Sequence, residues 1–417
     1  MGRFLERKAG RSNLTDPVAI GPDRSDPMGR SWEPVILIST SEITLKSRYV
    51  RGSLQRTLLE HLRWRLRRTG FRDFSTGVDA GRVVISGLND ERAAKACAQV
   101  FGVAAAASAI RLSNEPSKLI EDVSQYAETH LSKGDSFAVR ARIVGPCPMS
   151  SRDIERDAGQ AICDRLGKDN VRVDLEHPVK TIHIEIRGKT LYLYVNRTEG
   201  CGGLPYGSQG RLVGVLSGDV DSAVASWLMM KRGSHVIPLL MDEIREKDHG
   251  LEKALDIARR LRDFAPVDEY RVIVVPVQEI VQSIRSVNES DLRYILYHRM
   301  IYRIACSIAE KLRALGIVVG ERLQSTSRIS LNLSTMNEAA RLPVYRPLIG
   351  LDDPEIAALA ERISIHQIPT EKKETGLAQQ KRPVSFDLRR IGIIEGDFQM
   401  DVLGRNTLER MEKIDLE

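Results

Sequence analysis

Four residues whose types suit phosphate binding follow directly on an apolar run: Ser217, Gly218, Asp221 and Ser222 in the segment GVLSGDVDS. Glycine lets a backbone approach a phosphate closely, and the two serine hydroxyls can donate hydrogen bonds to its oxygens. Asp221 could cap the helix that follows or help hold a magnesium ion. The spacing alone therefore predicts either an ordinary capped turn or a phosphate cradle at a helix N-terminus.

The elements around this segment favour the cradle. From residue 211 onward, near-continuous apolar strands alternate with amphipathic helices, which predicts a parallel sheet covered on both faces. Ligands of such sheets bind beyond the carboxyl ends of the strands, where residues 217–222 fall. The chain has neither GxxxxGK[ST] nor a helix-opening GxGxxG, so the usual P-loop and the dinucleotide fingerprint do not apply.

Instead, the segment resembles the SGGxDS signature of the PP-loop pyrophosphatases, with Asp219 in place of the second glycine. Together with VVGERLQS and LPVYRPLIGLDDPEIAALAERI, it resembles the tRNA sulfurtransferase family, the tRNA 4-thiouridine synthetases. The segment ILISTSEITLKSRYVRGSLQRTLLEHL is similar to that family's ferredoxin-like domain, and FAVRARIV with VRVDLEHPVKTIHIEI resembles its THUMP domain. The resemblance runs from about residue 34 to about residue 385 in the family's order.

The fold class predicted from the residues and the resemblance is a multidomain chain with α/β and α+β parts. The expected parts are a disordered extension (1–32), an N-terminal ferredoxin-like domain (33–90), a THUMP RNA-binding domain (91–197), a glycine-rich linker (198–210), a Rossmann-like PP-loop ATP pyrophosphatase domain (211–400) and a C-terminal tail (401–417).

The resemblance implies an ATP-dependent enzyme that adenylates the C4 oxygen of a uridine in tRNA and then displaces AMP with sulfur. It implies catalytic roles for Asp221 and Ser222 and a contact between Asp221 and a magnesium ion. It also implies that a larger set of residues binds the nucleotide. The implied ATP-binding residues are Val215, Leu216, Ser217, Gly218, Leu240, Met241, Arg299, Gly320 and Arg328. The last of these is a glutamine in the family pattern.

Basic residues predict a polyanionic partner. The formal charge is +6, and residues 46–72 hold nine Lys or Arg against one acid, Glu60. By the resemblance this partner is tRNA, with phosphate contacts from Arg56, Arg63, Arg67, Arg140 and Lys180. Taken singly, each of these charges is also explained as part of a solvated surface.

The sulfur chemistry is less well specified, because the cysteine that many relatives carry after the RPLIG helix is replaced near Glu374 and Thr375. Five scattered cysteines without a CxxC pair support neither an iron–sulfur cluster nor a disulfide scaffold. Cys201, in the glycine-rich linker, is the candidate nucleophile, against a structural role as a small loop residue. The alternative donors are free sulfide or the persulfide of a partner protein.

The remaining expectations concern the location of the protein, its partners and a competing function. The sequence has no run long enough to span a membrane and no signal-peptide pattern, which predicts a cytoplasmic protein. The family also suggests a homodimer and sulfur delivery to a carrier protein in thiamine thiazole synthesis. The competing interpretation is an altered protein that binds tRNA without sulfur transfer. It is based on two departures from the family pattern at positions expected to act in the reaction, Asp219 and the lost cysteine.

Overall fold

The computed structural model describes residues 32–79, 81–243, 249–323, 329–365 and 388–416. The predicted extension therefore lies outside the described residues except for Trp32. Within the described part, two sheets organise the chain, and a packed connection joins them.

The first sheet contains strands from the first half of the chain, in the order β2-β3-β1-β4-β8-β7-β5-β6 with β9 paired to β4. The elements are β1 (Glu33–Ser39), a 3-10 turn (Glu42–Leu45), α1 (Arg48–Arg68), β2 (Ser75–Asp79), β3 (Arg82–Ser86), α2 (Glu91–Ala98), β4 (Ala105–Ser113), α3 (Leu119–Glu128), β5 (Ser136–Val144), α4 (Ser151–Leu166), β6 (Arg172–Val173), β7 (Lys180–Arg187), β8 (Thr190–Tyr194) and β9 (Thr198–Glu199).

Helix α1 packs on this sheet through one apolar stripe. Leu54, Leu58, Leu62 and Leu66 recur every four residues and are all buried, as the periodicity predicts. Helix α2 packs against α1, and β4 pairs along the whole of β1. The N-terminal unit thus continues past the expected boundary at residue 91, and the same β4 also pairs with β8 of the following unit.

The second sheet has the order β14-β13-β10-β11-β12-β15. Its elements are β10 (Arg211–Leu216), α5 (Val220–Lys231), β11 (His235–Asp242), α6 (His249–Arg262), β12 (Tyr270–Pro276), α7 (Gln278–Arg285), α8 (Ser290–Lys311), β13 (Ile317–Val318), α9 (Ile329–Asn337), β14 (Val344–Tyr345), α10 (Asp353–Arg362), α11 (Leu388–Asp397), α12 (Met400–Glu409) and β15 (Glu412–Leu416).

Strands β10 to β14 run parallel, as predicted, and separate apolar clusters cover the two faces of the sheet. The expected C-terminal tail is instead part of this domain, because β15 pairs antiparallel with β12 from Tyr270 to Val274. Its residues alternate between the two faces of the sheet edge, a pattern too short for the sequence to distinguish from a charged tail.

The expected linker is also an ordered, packed segment. Cys201, Leu204 and Tyr206 are buried, and the N–H of Leu204 donates to the carbonyl of Lys231 at the end of α5. Its glycines allow close packing of two units, whereas the sequence interpretation took them as signs of flexibility.

Candidate nucleotide site

The loop after β10 lies where the order of the second sheet reverses. From β10 the chain proceeds through α5 to β11 on one side, and later returns through α8 to β13 on the other side. The loops after β10 and β13 therefore start from neighbouring strands and run in opposite directions, and a crevice lies between them. Residues 217–219 follow β10 at this crevice, and Gly320, after β13, contacts the backbone of Asp221 and Ser222.

The residues between β10 and α5 form a tight loop with free backbone donors. Gly218 has φ +83°, a conformation that favours glycine. Asp219 caps α5, accepting a hydrogen bond from the N–H of Ser222 over 2.8 Å. Within the described residues, the N–H groups of Gly218 and Asp219 have no hydrogen-bond partner. Two donors at a positive helix end suit an anion.

This geometry changes the roles that the sequence suggested for the loop. Asp219, the departure from the SGGxDS signature, is the helix cap, so Asp221 does not fill the capping role predicted for it. The Ser222 side chain is buried and internal: its hydroxyl donates to the Asp219 carbonyl and accepts from the Ser217 N–H. Ser217 is the exposed serine of the loop.

Gly320, just after β13, contacts the first turn of α5 directly. A Cβ at this position would lie 2.5 Å from the Ser222 nitrogen and 2.7 Å from the Asp221 carbonyl carbon, both backbone atoms. No side chain other than hydrogen fits at this distance, because neither backbone can move aside. The contact holds the two loops of the crevice together.

Arg322 is a charged residue of the crevice that the sequence analysis missed. Its Nε lies 2.7 Å from Asp221 Oδ2, and its Nη1 contacts Asp353 Oδ1 at the start of α10. The arginine thus joins three loops at the carboxyl edge of the sheet. Its position two residues after Gly320, in VVGERLQS, was the available signal.

Behind Gly320 lies a buried polar cluster that the sequence also did not reveal. The Glu321 carboxylate accepts from Arg346 Nε over 2.7 Å, contacts the Tyr302 hydroxyl, and lies 3.2 Å from His298 Nδ1. Burial raises the pKa of Glu321, but the hydrogen bonds and charges of His298 and Arg346 outweigh it and hold the pKa at about 2. His298 is thus part of this cluster and contacts a carboxylate.

The predicted adenine-pocket residues lie on adjacent strands near the crevice. Leu216 pairs with Leu240 in register, and both side chains are buried in one apolar cluster. Val215 and Met241 are buried in the cluster on the other face of the sheet. In the chain as described, these side chains pack the core, so a nucleotide would meet their strand ends through the backbone.

Arg299 occupies an internal position. Its side chain is 3% exposed, and its Nε and Nη2 donate to both oxygens of Glu395 over 2.8 and 3.1 Å. Its Nη1 donates to the Thr335 carbonyl and lies 2.8 Å from Glu338 Oε2. These partners satisfy the hydrogen-bond donors of the guanidinium without a phosphate. The structure therefore gives no support to the nucleotide contact predicted for Arg299. Arg328, the other predicted arginine, lies outside the described residues, as do Glu374 and Thr375.

The environment of Cys201 disfavours the nucleophilic role predicted for it. The side chain is buried in the cluster beneath α5, and burial raises the pKa of its thiol to about 11, despite the nearby positive charges of Arg362 and Lys231. Because the thiolate is the reactive form, this burial lowers the reactivity of the thiol at neutral pH. Linker spacing alone could not reveal that the segment is packed.

The predicted RNA contacts divide into two groups. Arg56 and Arg67 are exposed on α1 and Arg63 is half-buried beside them, whereas Lys180 is bound to Asp135 Oδ2 over 2.9 Å and to the His130 carbonyl. Arg140 is exposed, with one nitrogen donating to the Leu175 carbonyl. The structure thus leaves the α1 arginines without ion pairs in the described part of the chain and assigns Lys180 an internal contact.

Among the described residues, every helix is too short or too polar to span a membrane. No three His, Cys, Asp or Glu side chains there converge as a metal site, so the predicted magnesium role of Asp221 stays a prediction.

The fold and the crevice define a class: a nucleotide-binding α/β domain of PP-loop type, joined to an α+β sheet domain. Three family matches follow the same order. They are the ThiI ferredoxin-like domain over residues 35–107, the THUMP domain over 115–196 and the thiamine biosynthesis protein (ThiI) over 207–388.

Relatives cover nearly the whole chain. A probable tRNA sulfurtransferase of Methanosarcina acetivorans is 32% identical over 374 residues, which are 87% of this chain and 90% of that protein. One of Saccharolobus solfataricus is 30% identical over 392 residues, 92% of this chain and 100% of that protein. The chain therefore belongs to the tRNA sulfurtransferase (ThiI) family.

Solved structures agree on the fold. A 4-thiouridine synthetase in complex with RNA and ATP aligns with a TM-score of 0.77 at 24% identity, covering 93% of this chain and 100% of that one. The protein PH1313 of Pyrococcus horikoshii aligns with a TM-score of 0.59 at 24% identity, covering 80% of this chain and 99% of that one.

Proposed function

We propose that this protein is an ATP-dependent tRNA sulfurtransferase that converts a uridine of tRNA to 4-thiouridine. The observation that carries the proposal is the cradle at the carboxyl edge of the second sheet. There, the unpaired N–H groups of Gly218 and Asp219 open α5, and Gly320 holds this loop against the loop after β13. Membership of the family and the relatives' names support the substrate assignment.

At the cradle, the residues of this chain would have different roles. The Gly218 and Asp219 N–H groups donate to phosphate oxygens, the exposed Ser217 hydroxyl adds a third donor, and the buried Ser222 braces the loop. ATP supplies the adenylyl group that turns the uridine C4 oxygen into a leaving group. Asp221 would hold a magnesium ion, which would offset the negative charge of the phosphates. Arg322, whose Nε lies 2.7 Å from Asp221 Oδ2 and whose Nη1 contacts Asp353, lies at the same crevice and would bind a phosphate oxygen.

For the sulfur step, we propose that the sulfur donor is another molecule and not a residue of this protein. Hydrosulfide adds at C4, and AMP departs with the former C4 oxygen. When the donor is a partner's persulfide, its terminal sulfur adds at C4 with the same loss of AMP, and a further thiol then cleaves the S–S bond, which leaves a disulfide and releases the thiouridine. The buried Cys201 thiol argues against an internal relay through that residue. A cytoplasmic setting, a homodimer and transfer to a sulfur-carrier protein also belong to this proposal, on the strength of the family alone.

The test is chemical. Unmodified tRNA is incubated with the full chain, ATP, magnesium and sulfide, then digested and analysed by mass spectrometry, with an ATP-free reaction alongside. Thiouridine that appears only with ATP supports the proposal. Asp221→Ala should abolish product and leave tRNA affinity nearly unchanged, whereas Asp256→Ala, which alters an exposed acid on α6, should have no effect.

The second candidate is a tRNA-binding protein without sulfur transfer, favoured by the carboxylate at position 219. The role of Asp219 as helix cap weakens this argument against phosphate binding, because its carboxylate is bound to the Ser222 N–H. ATP-dependent release of pyrophosphate distinguishes the two. Its absence from the full chain with tRNA, with sulfide and with a persulfide donor would favour the binding protein.

A further inference from the structure

A groove runs along α1 where the first sheet domain meets the nucleotide-binding domain. It has a volume of about 850 Å³ and is lined by Glu60, Arg63, Trp64, Arg67, Arg68 and Asp268. Its five α1 residues are spaced three and four apart, so they form one face of the helix. Asp268 belongs to the segment between α6 and β12, so both domains contribute to the groove.

The positive charge of this groove is only partly balanced. In the described part of the chain, Arg63, Arg67 and Arg68 form no ion pair. Arg262, at the end of α6, is 7% exposed, and its Nε is buried without a hydrogen-bond partner among the described residues. Burial lowers the pKa of Arg262, and the neighbouring charge of Arg68 lowers it further.

A like charge close to a guanidinium group is unfavourable in a folded protein. An anion bound at Arg68 would offset its repulsion from Arg262. The planar guanidinium group is suited to phosphate oxygens. Because Arg67 and Arg68 are exposed and line the groove, they point to a phosphate on this face of α1.

Trp64 supplies an aromatic surface beside these charges. The Arg68 guanidinium lies 5.3 Å from the centre of its ring. The ring also borders a smaller hollow lined by apolar and aromatic side chains that include Phe101, Tyr206 and Phe264. Trp64 thus borders both hollows with Arg68 over its ring, and nucleotide bases stack on aromatic rings and on arginine guanidinium planes whatever their sequence.

We propose that the groove binds an unpaired nucleotide of the RNA substrate, with its base on Trp64 and its phosphate at Arg68. The inference rests on the proposed function for the identity of the RNA. It goes beyond the phosphate contacts expected from Arg63 and Arg67, because stacking requires a base that is not already paired in a helix. An acidic peptide fits less well, since it would meet the carboxylates of Glu60 and Asp268 and would gain no stacking.

The experiment measures RNA binding by the full chain without ATP or sulfide. The probes are a short single-stranded RNA and the same RNA annealed to its complement. Trp64→Ala should weaken single-strand binding by about 5-fold or more, the lower end of what one stacked base contributes, and change duplex binding by less than about twofold. Tyr49→Ala is the matched control, because Tyr49 is 87% exposed at the other end of the same helix.

Arg68→Ala guards against a folding defect in the Trp64 variant, because Arg68 is exposed. It should weaken single-strand binding and reduce the salt dependence of log Kd by about 0.7, as expected for one lost phosphate contact. Unchanged single-strand binding in both variants would overturn the groove proposal. So would equal losses for the two probes, or displacement of the RNA by polyglutamate as effectively as by unlabelled RNA. A wild-type chain that still forms thiouridine would leave the proposed function standing in each of these cases.

Discussion

The carboxyl edge of the second sheet and the groove along α1 use arginine in opposite ways. In the domain of the second sheet, the side chains of Arg299 and Arg346 are 3% and 9% exposed and are bound to Glu395 and Glu321. Along α1, Arg67 and Arg68 are exposed and have no ion pair among the described residues. The difference teaches that arginine count alone does not locate an anion site. In this molecule, backbone N–H groups form the cradle, and the unpaired arginines lie elsewhere.

The sharpest test of the sheet edge is Gly320→Ala. The added methyl group would collide with backbone atoms of Ser222 and Asp221, so the loops of the crevice must separate. We expect thiolation to fall by about 100-fold or more, the effect of moving a binding group by about 1 Å. The control is Gly392→Ala on α11, where a Cβ has open space. Normal activity in both variants would remove the cradle from the mechanism.

Arg299→Ala tests whether the buried arginine is structural. Its loss leaves Glu395 with fewer partners, and we expect the free energy of unfolding to fall by about 3–5 kcal/mol. Urea denaturation measures this change. Unaltered stability combined with a loss of ATP binding would contradict the comparison and restore the nucleotide contact that the sequence suggested.

The double variant Arg63→Ala/Arg67→Ala tests the other side of the comparison. Both side chains line the groove, so two phosphate contacts should disappear. We expect the salt dependence of log Kd for tRNA to decrease by about 1.5, with stability unchanged. A titration of tRNA binding against salt measures the slope. An unchanged slope would show that these arginines are solvated surface charges.

Glu321 gives a pH-dependent test of the buried cluster. Its folded-state pKa of about 2 lies below the ordinary value of 4.5, so it stabilises the fold fully above about pH 4.5 and loses that contribution as the pH falls toward 2. Glu321→Gln should remove this part of the acid dependence in unfolding midpoints measured from neutral pH to about pH 3. Glu361→Gln, at an exposed position on α10, should leave the acid dependence as it is.

Cys201→Ser has the smallest expected effect. A buried thiol with a pKa of about 11 cannot supply a thiolate at neutral pH, so the thiolation rate should stay within about twofold of the wild type. The rate is measured with saturating sulfide. Loss of activity without loss of stability would restore Cys201 as the nucleophile.

Local patterns carried much of the fold. The four-residue spacing of Leu54, Leu58, Leu62 and Leu66 determined the buried face of α1, and the apolar strands from residue 211 determined a parallel sheet. The position of the cradle followed from the rule for ligands at strand ends. These features depend on residues close in sequence, so no tertiary information was needed.

The rest depended on contacts between distant residues. Asp219 and Asp221 are both acids in one loop, and only the folded chain shows that the first caps α5 and the second meets Arg322, about 100 residues later. The buried state of Cys201 and the Glu395 partner of Arg299 likewise come from packing across the domains. The sequence by itself determined the family and the order of the domains, and it predicted the place of the proposed cradle. Tertiary structure decided which charges are paired, because pairing depends on side chains that the chain brings together only when it folds.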